Sequence, residues 1–422
     1  MDIKKYKRVI ENFFSLSALN AINIVLQLVT LPYIMGVVGE ANYGIYSYVF
    51  IVIQYIILFS TYGFNYTATK QISENRDDID AVNRIYNAVI GCKVLIATSL
   101  VLLVILFSNM VFEEQIGFKM FLLGLGMIVG DIVTPIWLFQ GMEKMKFMTL
   151  VNSSSKILFT VLVFFVIRDA DDFYILILLN SCGYLLAGVL SLIVARKQFN
   201  VKLSMPKYSE MKLQLKDGKA MFGSTFGMNL YRNAHIIILK HLVSNEAVGI
   251  FSAAEKIIHG VQSFILPAAQ ALFPHISARF KDGNKETNIK TMNRMILPFV
   301  GFASFVAIFV FIIAPWIPDI FNIFRGNYGD KFINCIPLIR IMVLVILFGE
   351  VNYLVGIVGL VNMNKQSYFF KSVIITGVFS CLLTTLLANS CGAFAGAISL
   401  SASEGVLMIL CLFGLFRIKK SL

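Results

Sequence analysis

The sequence predicts an all-α polytopic membrane protein, with twelve transmembrane helices in two six-helix bundles and both termini in the cytoplasm. Three observations lead to this prediction: the composition, the number of long apolar segments, and the distribution of basic residues between them. The chain has 422 residues, of which 58% are hydrophobic and 14% are charged. Soluble domains carry about 25% charged residues, so this deficit is typical of a chain that lies mostly in lipid.

Twelve segments are long and apolar enough to cross a bilayer, which takes roughly 20 residues of helix. The first follows a basic N-terminus and is too long for a signal-peptide core, so we expect it to be retained. In chain order the predicted spans are about 12–36, 43–66, 86–110, 117–140, 147–167, 172–195, 220–239, 247–273, 295–316, 333–360, 367–388 and 392–416.

The basic residues predict which side of the membrane each connection occupies. With the N-terminus in the cytoplasm, that side holds 25 of the 36 lysines and arginines, and the opposite connections hold five. Cytoplasmic connections carry an excess of Lys and Arg, so this split places both termini in the cytoplasm. Because the net charge of +12 lies in short loops between apolar runs, it indicates membrane orientation and not nucleic-acid binding.

The two halves of the chain share a local pattern. Val38–Ser47 resembles Val243–Ser252 at an offset of 205 residues, and Asn83-Arg84 resembles Asn293-Arg294 at an offset of 210. Six spans per half indicate parallel repeats related by an axis along the membrane normal. The predicted domains are an N-terminal bundle (1–197), a cytoplasmic linker (198–219) and a C-terminal bundle (220–422).

Six basic residues lie inside the predicted spans, where a charge costs roughly 2.5–3.5 kcal/mol and usually faces a bundle interior or a cavity. We expect Arg232 and Lys256, the deepest two, to line a cationic lumen that binds an anionic cargo. Arg232 could instead pair with a buried acid such as Glu350 or Glu404. The other predicted lumen residues are Arg340, which could partly snorkel, and Lys93 and Lys156; snorkelling accounts better for Lys371.

Asp131, Glu350 and Glu404 are the acids that we expect to be buried in the membrane. They could bind a coupling ion, H⁺ or Na⁺, or neutralise a neighbouring cation, and the sequence favours pairing because such acids are fewer than the embedded bases. Pro32, Pro135 and Pro267 could act as hinges or as fixed bends. We predict no catalytic residue, cofactor or metal site, since the chain has neither a nucleotide-binding glycine loop nor a His/Cys cluster.

Three segments carry a resemblance to a known family. They are Leu31–Gly44, which ends the first span; Ala68–Ser73 with Arg76–Asp78, after the second; and Ala254–Ile258 with Pro267–Ser277, in the eighth. In this order and spacing the chain resembles the Wzx-type polysaccharide flippases, and with twelve spans the resemblance covers essentially the whole sequence.

The resemblance implies the fold of the multidrug/oligosaccharidyl-lipid/polysaccharide (MOP) superfamily, which includes the MATE exporters. It also implies flipping of undecaprenyl-pyrophosphate-linked oligosaccharide units to the outer leaflet of a bacterial inner membrane. The expected partners are that lipid-linked glycan, membrane lipids, and polymerase and chain-length proteins of the same pathway. Alternating access of two bundles around the cationic cavity would carry the charged headgroup while the polyprenyl tail stays in lipid.

Two alternative functions remain at this point. A multidrug or cation exporter of the same superfamily would need acids in its pathway, and the first span has none. A membrane-embedded polysaccharide polymerase or ligase would need a large outer loop, whereas the longest outer connection is about 317–332. Arg232 and Lys256 have Gln27 and Ile51 as their counterparts in the first repeat, so we expect an anionic headgroup to lean toward the C-terminal half.

Overall fold

The computed structural model describes the backbone of residues 3–282, 285–322, 326–363 and 365–420. Side chains are described within these ranges except at 3–21, 23–24, 220, 224, 266–291, 293, 326–328 and 418–420. Throughout the described ranges the chain forms helices and short connections without a β-strand. This agrees with the predicted all-α class.

Fifteen α-helices account for most of the described chain. They are α1 (Ile3–Thr61), α2 (Phe64–Glu74), α3 (Ile79–Leu106), α4 (Ser108–Val111), α5 (Gln115–Val133), α6 (Ile136–Gly141), α7 (Met145–Val166), α8 (Phe173–Phe199), α9 (Tyr208–Leu242), α10 (Asn245–Asp282), α11 (Lys285–Ile313), α12 (Ile317–Asn322), α13 (Ile336–Asn352), α14 (Gln366–Cys391) and α15 (Ala393–Lys420). Short 3₁₀ helices span Ala170–Asp172, Ala314–Trp316 and Gly326–Cys335, and a π-helix spans Tyr353–Val361.

The helices divide into two compact units. The first comprises Met1–Leu26 and Tyr48–Phe226, and the second comprises Gln27–Ser47 and Gly227–Leu422. Residues 198–219, which the sequence sets apart as a linker, therefore pack with the first unit. Gln27–Ser47, which the sequence assigns to the N-terminal bundle, packs with the second.

In the first unit α5 and α7 pack against α8, and α2 packs against α6. Glycines permit the closest of these contacts, because a Cβ at Gly130 would overlap the backbone of Tyr184. A cluster of buried side chains around Trp137 and Tyr86 joins α2, α3, α6 and α8. In the second unit α15 packs against α13 and α14, and α13 also contacts α10 and α11.

Helix α1 changes direction at Gly39, whose φ of 80° and ψ of 170° are not helical. This region of backbone space is essentially restricted to glycine, so the residue type permits the break. Pro32, in contrast, is accommodated inside the helical part of α1. Pro267 also falls within a helix, α10, but its side chain lies outside those described.

Nine segments of the described chain are long and apolar enough to cross a membrane, which makes this a multi-pass membrane protein. One of them, Val25–Glu74, contains the last part of the first predicted span and the whole of the second, on either side of Gly39. Helices α9 and α10 correspond to the seventh and eighth predicted spans but are not among the nine. In their described parts, polar and charged residues interrupt the apolar run.

Candidate functional site

Charged side chains of the second unit converge where four helices pack together. Helix α9 supplies Arg232, α10 supplies Lys256, α13 supplies Glu350 and α15 supplies Glu404. Both Glu350 and Glu404 interact electrostatically with Arg232. The structure thus brings together the deepest predicted cations and two of the three predicted acids in one unit.

Glu404 is the most completely bonded member of this group, and its side chain is only 1% exposed. The Tyr231 hydroxyl donates to Glu404 Oε1 over 3.4 Å, and Asn352 Nδ2 donates to Oε2 over 2.7 Å and to the backbone oxygen over 2.9 Å. Arg232 Nη2 lies 3.7 Å from Oε1, while the Arg232 side chain stays 43% exposed. Glu404 therefore positions Arg232 without enclosing it.

Helix α9 is held against α14 one turn beyond Arg232. The ring of buried His235 contacts Thr384 Oγ1 through Nδ1 at 2.8 Å and Ser380 Oγ through Nε2 at 3.2 Å. These two contacts restrict rotation of α9 about its axis. Because i and i+3 positions share a helix face, they also help to fix the direction of the Arg232 side chain.

Glu350 lies at the end of α13, shortly before the π-helix Tyr353–Val361 begins. Its side chain is buried, and its Oε2 has no hydrogen-bond partner among the described residues. A π-helix is rare and occurs frequently at functional sites. Two carboxylates therefore lie in the electric field of Arg232. Both oxygens of Glu404 accept hydrogen bonds, whereas Glu350 Oε2 accepts none from the described residues.

Lys256 is stabilised by aromatic faces. Its ammonium lies 5.1 Å from the ring centroid of Tyr43 and 5.7 Å from that of Tyr46, both on α1. A cation within about 6 Å of an aromatic ring is attracted by its electron-rich face. Glu255 interacts electrostatically with both Lys256 and Arg232, so it links the two cations, a role that the sequence did not indicate.

The first unit contains a separate buried pair, Lys93 and Asp131. Lys93 Nζ lies 2.8 Å from Asp131 Oδ2 and donates to the Asp131 backbone oxygen, also over 2.8 Å. Pro135 has no N–H to donate to the carbonyl four residues earlier, that of Asp131, which instead accepts from Thr134 N–H over 3.2 Å and from Lys93. The lysine thus caps the end of α5 and neutralises its last acid, which fits the pairing interpretation of Asp131.

We expect Lys93→Met to lower the stability of the first unit by roughly 3–5 kcal/mol, because it leaves a largely buried carboxylate unpaired. Thermal unfolding in detergent would measure the loss. Adding Asp131→Asn should recover part of it, and Lys371→Met, at an exposed position of α14, should change nothing. An unfolding temperature equal to that of the parent in Lys93→Met would contradict the assignment.

The remaining predicted cations lie apart from these groups. Arg340 is on an exposed face of α13, with its guanidinium 5.0 Å from the ring centroid of Phe311. Lys156 is partly buried in α7, and no ion pair to it occurs among the side chains that the structure describes. Their contribution to cargo binding stays a prediction, as does that of Lys93.

Several residues of the second-unit cluster escaped the sequence-based prediction. Tyr231, Asn352, Tyr43 and Tyr46 are uncharged, and a polar or aromatic residue in an apolar run is a common feature of membrane helices. A usable signal existed for Asn352, which lies two residues from Glu350 in an otherwise apolar segment. For the tyrosines, only the three-dimensional packing shows that they surround Lys256.

The comparisons with known proteins agree with this architecture. A family model described as "Polysaccharide biosynthesis protein" matches residues 9–280. The chain is 28% identical over 397 residues to a protein of Escherichia coli (strain K12) named "Putative O-antigen transporter", covering 93% of each chain. A protein of the same name from Shigella dysenteriae is 23% identical over 267 residues, which cover 63% of this chain and 67% of that protein.

Two solved structures share the fold. The lipid II flippase MurJ, in an inward closed conformation, superimposes with a TM-score of 0.75 at 14% identity, covering 97% of this chain and 87% of that one. An inward-facing MATE multidrug transporter of the MOP superfamily gives a TM-score of 0.73 at 13% identity, covering 96% and 98%. The predicted MOP-type fold is confirmed. The chain belongs to the polysaccharide biosynthesis protein family, and it is a transporter rather than an enzyme.

Proposed function

We propose that this protein flips undecaprenyl-pyrophosphate-linked oligosaccharide repeat units from the cytoplasmic to the outer leaflet of the bacterial cytoplasmic membrane. These units would serve the assembly of an O-antigen, capsule or exopolysaccharide. The observation that carries the proposal is Arg232, a half-exposed cation in α9, which corresponds to the seventh predicted span of a polysaccharide-family chain. Guanidinium donors form paired hydrogen bonds with phosphate oxygens, the charged groups of such a cargo.

The mechanism that we propose is alternating access of two six-helix bundles, with both termini in the cytoplasm. Nine apolar segments become twelve spans when Val25–Glu74 is counted as two and α9 and α10 are added. The phosphates and sugars would follow the cationic residues while the polyprenyl tail stays in lipid. Cations along the path offset the cost of moving phosphate charges through a low dielectric.

The proposal also covers the ion that drives transport and the proteins that act beside this one. Glu350, with one oxygen lacking a hydrogen-bond partner among the described residues, is the best candidate to take up a coupling ion, H⁺ or Na⁺. Glu404 and Asp131 are already engaged by donors and a lysine. Polymerase and chain-length proteins of the same pathway are the proposed neighbours on the outer side.

The second candidate is a multidrug or cation exporter, favoured by the buried carboxylates Glu350 and Glu404 and by the MATE-type fold. It has less support, because both relatives carry the name of an O-antigen transporter. A polymerase or ligase finds no support in either relative. Drug susceptibility of a deletion strain separates the exporter from the flippase.

Deletion of the gene in its own bacterium tests the flippase proposal. We expect loss of surface polysaccharide, accumulation of lipid-linked repeat units that stay inaccessible from outside, unchanged drug susceptibility, and rescue by a plasmid copy. Undiminished surface polysaccharide without accumulation of the lipid-linked unit would reject the proposal. A gain in susceptibility to cationic drugs alone would favour the exporter.

A further inference from the structure

The segment that joins α8 to α9 is fixed along its backbone by two asparagines of α3. Asn83 Oδ1 accepts the backbone N–H of Lys202 over 2.8 Å. Asn87 accepts the N–H of Ser204 over 2.8 Å and donates to the Lys202 carbonyl over 2.9 Å. This part of the chain is therefore held in one conformation although few of its side chains are buried.

The first turns of α9 are held in a similar way on one face. Gln214 is buried and donates to Gln71 Oε1 over 2.6 Å, while Gln71 donates to Asp217 Oδ2 over 3.0 Å. A Cβ at Gly218 would come within 2.9 Å of the Tyr62 carbonyl oxygen, so the helix lies close to its neighbour there. The opposite face of these turns consequently points away from α2 and Tyr62, against which α9 packs.

The outward side of the segment is unusually apolar. Leu203, Met205, Tyr208 and Leu213 are each more than half exposed, and Met205 reaches 96%. Single exposed apolar residues are ordinary, but four large ones within eleven positions of a fixed segment form a surface that favours contact with an apolar phase. Tyrosine in particular is enriched where lipid meets water.

Lysines alternate with these apolar side chains. Five are exposed: Lys202, Lys207, Lys212, Lys216 and Lys219. The same stretch holds two acids: Glu210, whose Oε2 accepts the N–H of Lys207 over 3.2 Å, and Asp217, which accepts from Gln71. Five lysines against two acids leave a net charge of +3, and a lysine stem can lie on apolar surface while its ammonium reaches water.

We propose that residues 201–219 are an interfacial anchor that binds the headgroups of anionic phospholipids. The segment begins directly after the apolar helix Ala170–Phe199, so it lies within a few residues of a membrane boundary. Basic residues next to a membrane helix are attracted to an anionic leaflet, and interleaved apolar residues insert below the headgroups. The inference depends neither on the cargo nor on transport.

The test places a fluorescent label at Met205→Cys in the full-length protein, reconstituted in phosphatidylcholine vesicles with a minor fraction of phosphatidylglycerol. Bromine on the acyl chains of one lipid or the other quenches a label that touches that lipid. At equal mole fraction we expect brominated phosphatidylglycerol to quench roughly two-fold more than brominated phosphatidylcholine. Protein without Met205→Cys, labelled in the same way at its native cysteines, gives the background, and Met205→Cys with all lysines intact is the parent in the comparisons below.

A combined variant removes the charge from the anchor: Lys202→Gln, Lys207→Gln, Lys212→Gln and Lys216→Gln. Both brominated lipids should quench the label of this variant equally. High salt, which screens exposed charges, should have the same effect on the protein with its lysines intact. A label at Leu102→Cys, an exposed position of α3, should be quenched by both lipids in the parent and in the variant, which confirms folding.

Three outcomes would overturn the proposal. Equal quenching by both lipids in the parent would exclude recognition of anionic headgroups. No quenching by either lipid, with Leu102→Cys quenched normally, would place the segment in water or under a protein partner. Energy transfer between labels on different molecules, without lipid quenching, would assign the surface to a second copy of the chain.

Discussion

Arg232→Ala is expected to abolish export of the lipid-linked glycan while the protein remains in the membrane. The side chain is 43% exposed, so it is accessible to a cargo, and Glu404 keeps its donors Tyr231 and Asn352 when the arginine is removed. A hydrogen bond to a charged group contributes roughly 1.5–3 kcal/mol, so losing one costs about ten- to a hundred-fold in transport. Surface polysaccharide per unit of membrane protein measures the effect.

Arg232→Lys separates the charge from the geometry of the donors. Lysine keeps the positive charge but lacks the planar fork that contacts two phosphate oxygens at once. We therefore expect partial export, between the parent and Arg232→Ala. Full export in Arg232→Lys would indicate that only the charge matters.

The double variant Arg232→Ala/Glu404→Gln decides between the two roles that the sequence left open. If Arg232 serves only to neutralise Glu404, removing both charges restores export, because an uncharged glutamine can still bond to Tyr231 and Asn352. If Arg232 contacts the cargo, the double variant folds but does not export. We expect the second result; restored export would assign Arg232 a structural role.

The sequence predicts the fold well because its strongest signals are local. The long apolar runs and the interruption at Pro135 follow from the chain without knowledge of its packing, whereas the residues alone do not predict the break at Gly39. The assignment of Gln27–Ser47 to the second unit does not follow in this way, because it depends on contacts between α1 and α10. No local pattern shows that the middle of one long helix packs with a different part of the chain from the residues on either side of it.

The candidate site is predictable only in part for a related reason. The embedded charges stand out in the sequence, because charge is costly in lipid. Which partner each charge takes depends on how the helices are rotated, and Tyr231 and Glu404 are 173 residues apart. The sequence therefore predicts Arg232, Lys256, Glu350 and Glu404 among its embedded charges, but only the structure separates them from Lys93, Asp131, Lys156 and Arg340.

Gly44→Ala and Gly249→Ala are expected to destabilise the second unit more than any other alanine substitution at a glycine of the repeat motif. The two glycines occupy equivalent positions of the internal repeat, and they lie against each other. A Cβ at Gly44 would overlap the carbonyl oxygen of Asn245 and lie 3.0 Å from Gly249 N. A Cβ at Gly249 would overlap the carbonyl oxygen of Glu40 and lie 3.2 Å from Gly44 N.

The reciprocal nature of these contacts explains the size of the expected effect. Glu40 and Asn245 are also equivalent at the offset of 205 residues, so each repeat presents the same carbonyl to the glycine of the other. Both obstructing atoms belong to the backbone and cannot move aside by a change of rotamer. The helices would have to separate, at a cost of about 1–3 kcal/mol or more for each overpacked position.

Gly301→Ala provides the matched control, since Gly301 corresponds to Gly91 at the repeat offset of 210 residues but a Cβ there meets nothing within 4 Å. Alanine is about 1 kcal/mol more favourable than glycine inside a helix, so this variant should be neutral or slightly more stable. Thermal unfolding in detergent gives the comparison. Unfolding temperatures for Gly44→Ala and Gly249→Ala that match that of Gly301→Ala would show that these helices do not meet backbone to backbone. Lys256 lies against Tyr43 and Tyr46 beside this contact, so its position also depends on how closely the two helices meet there.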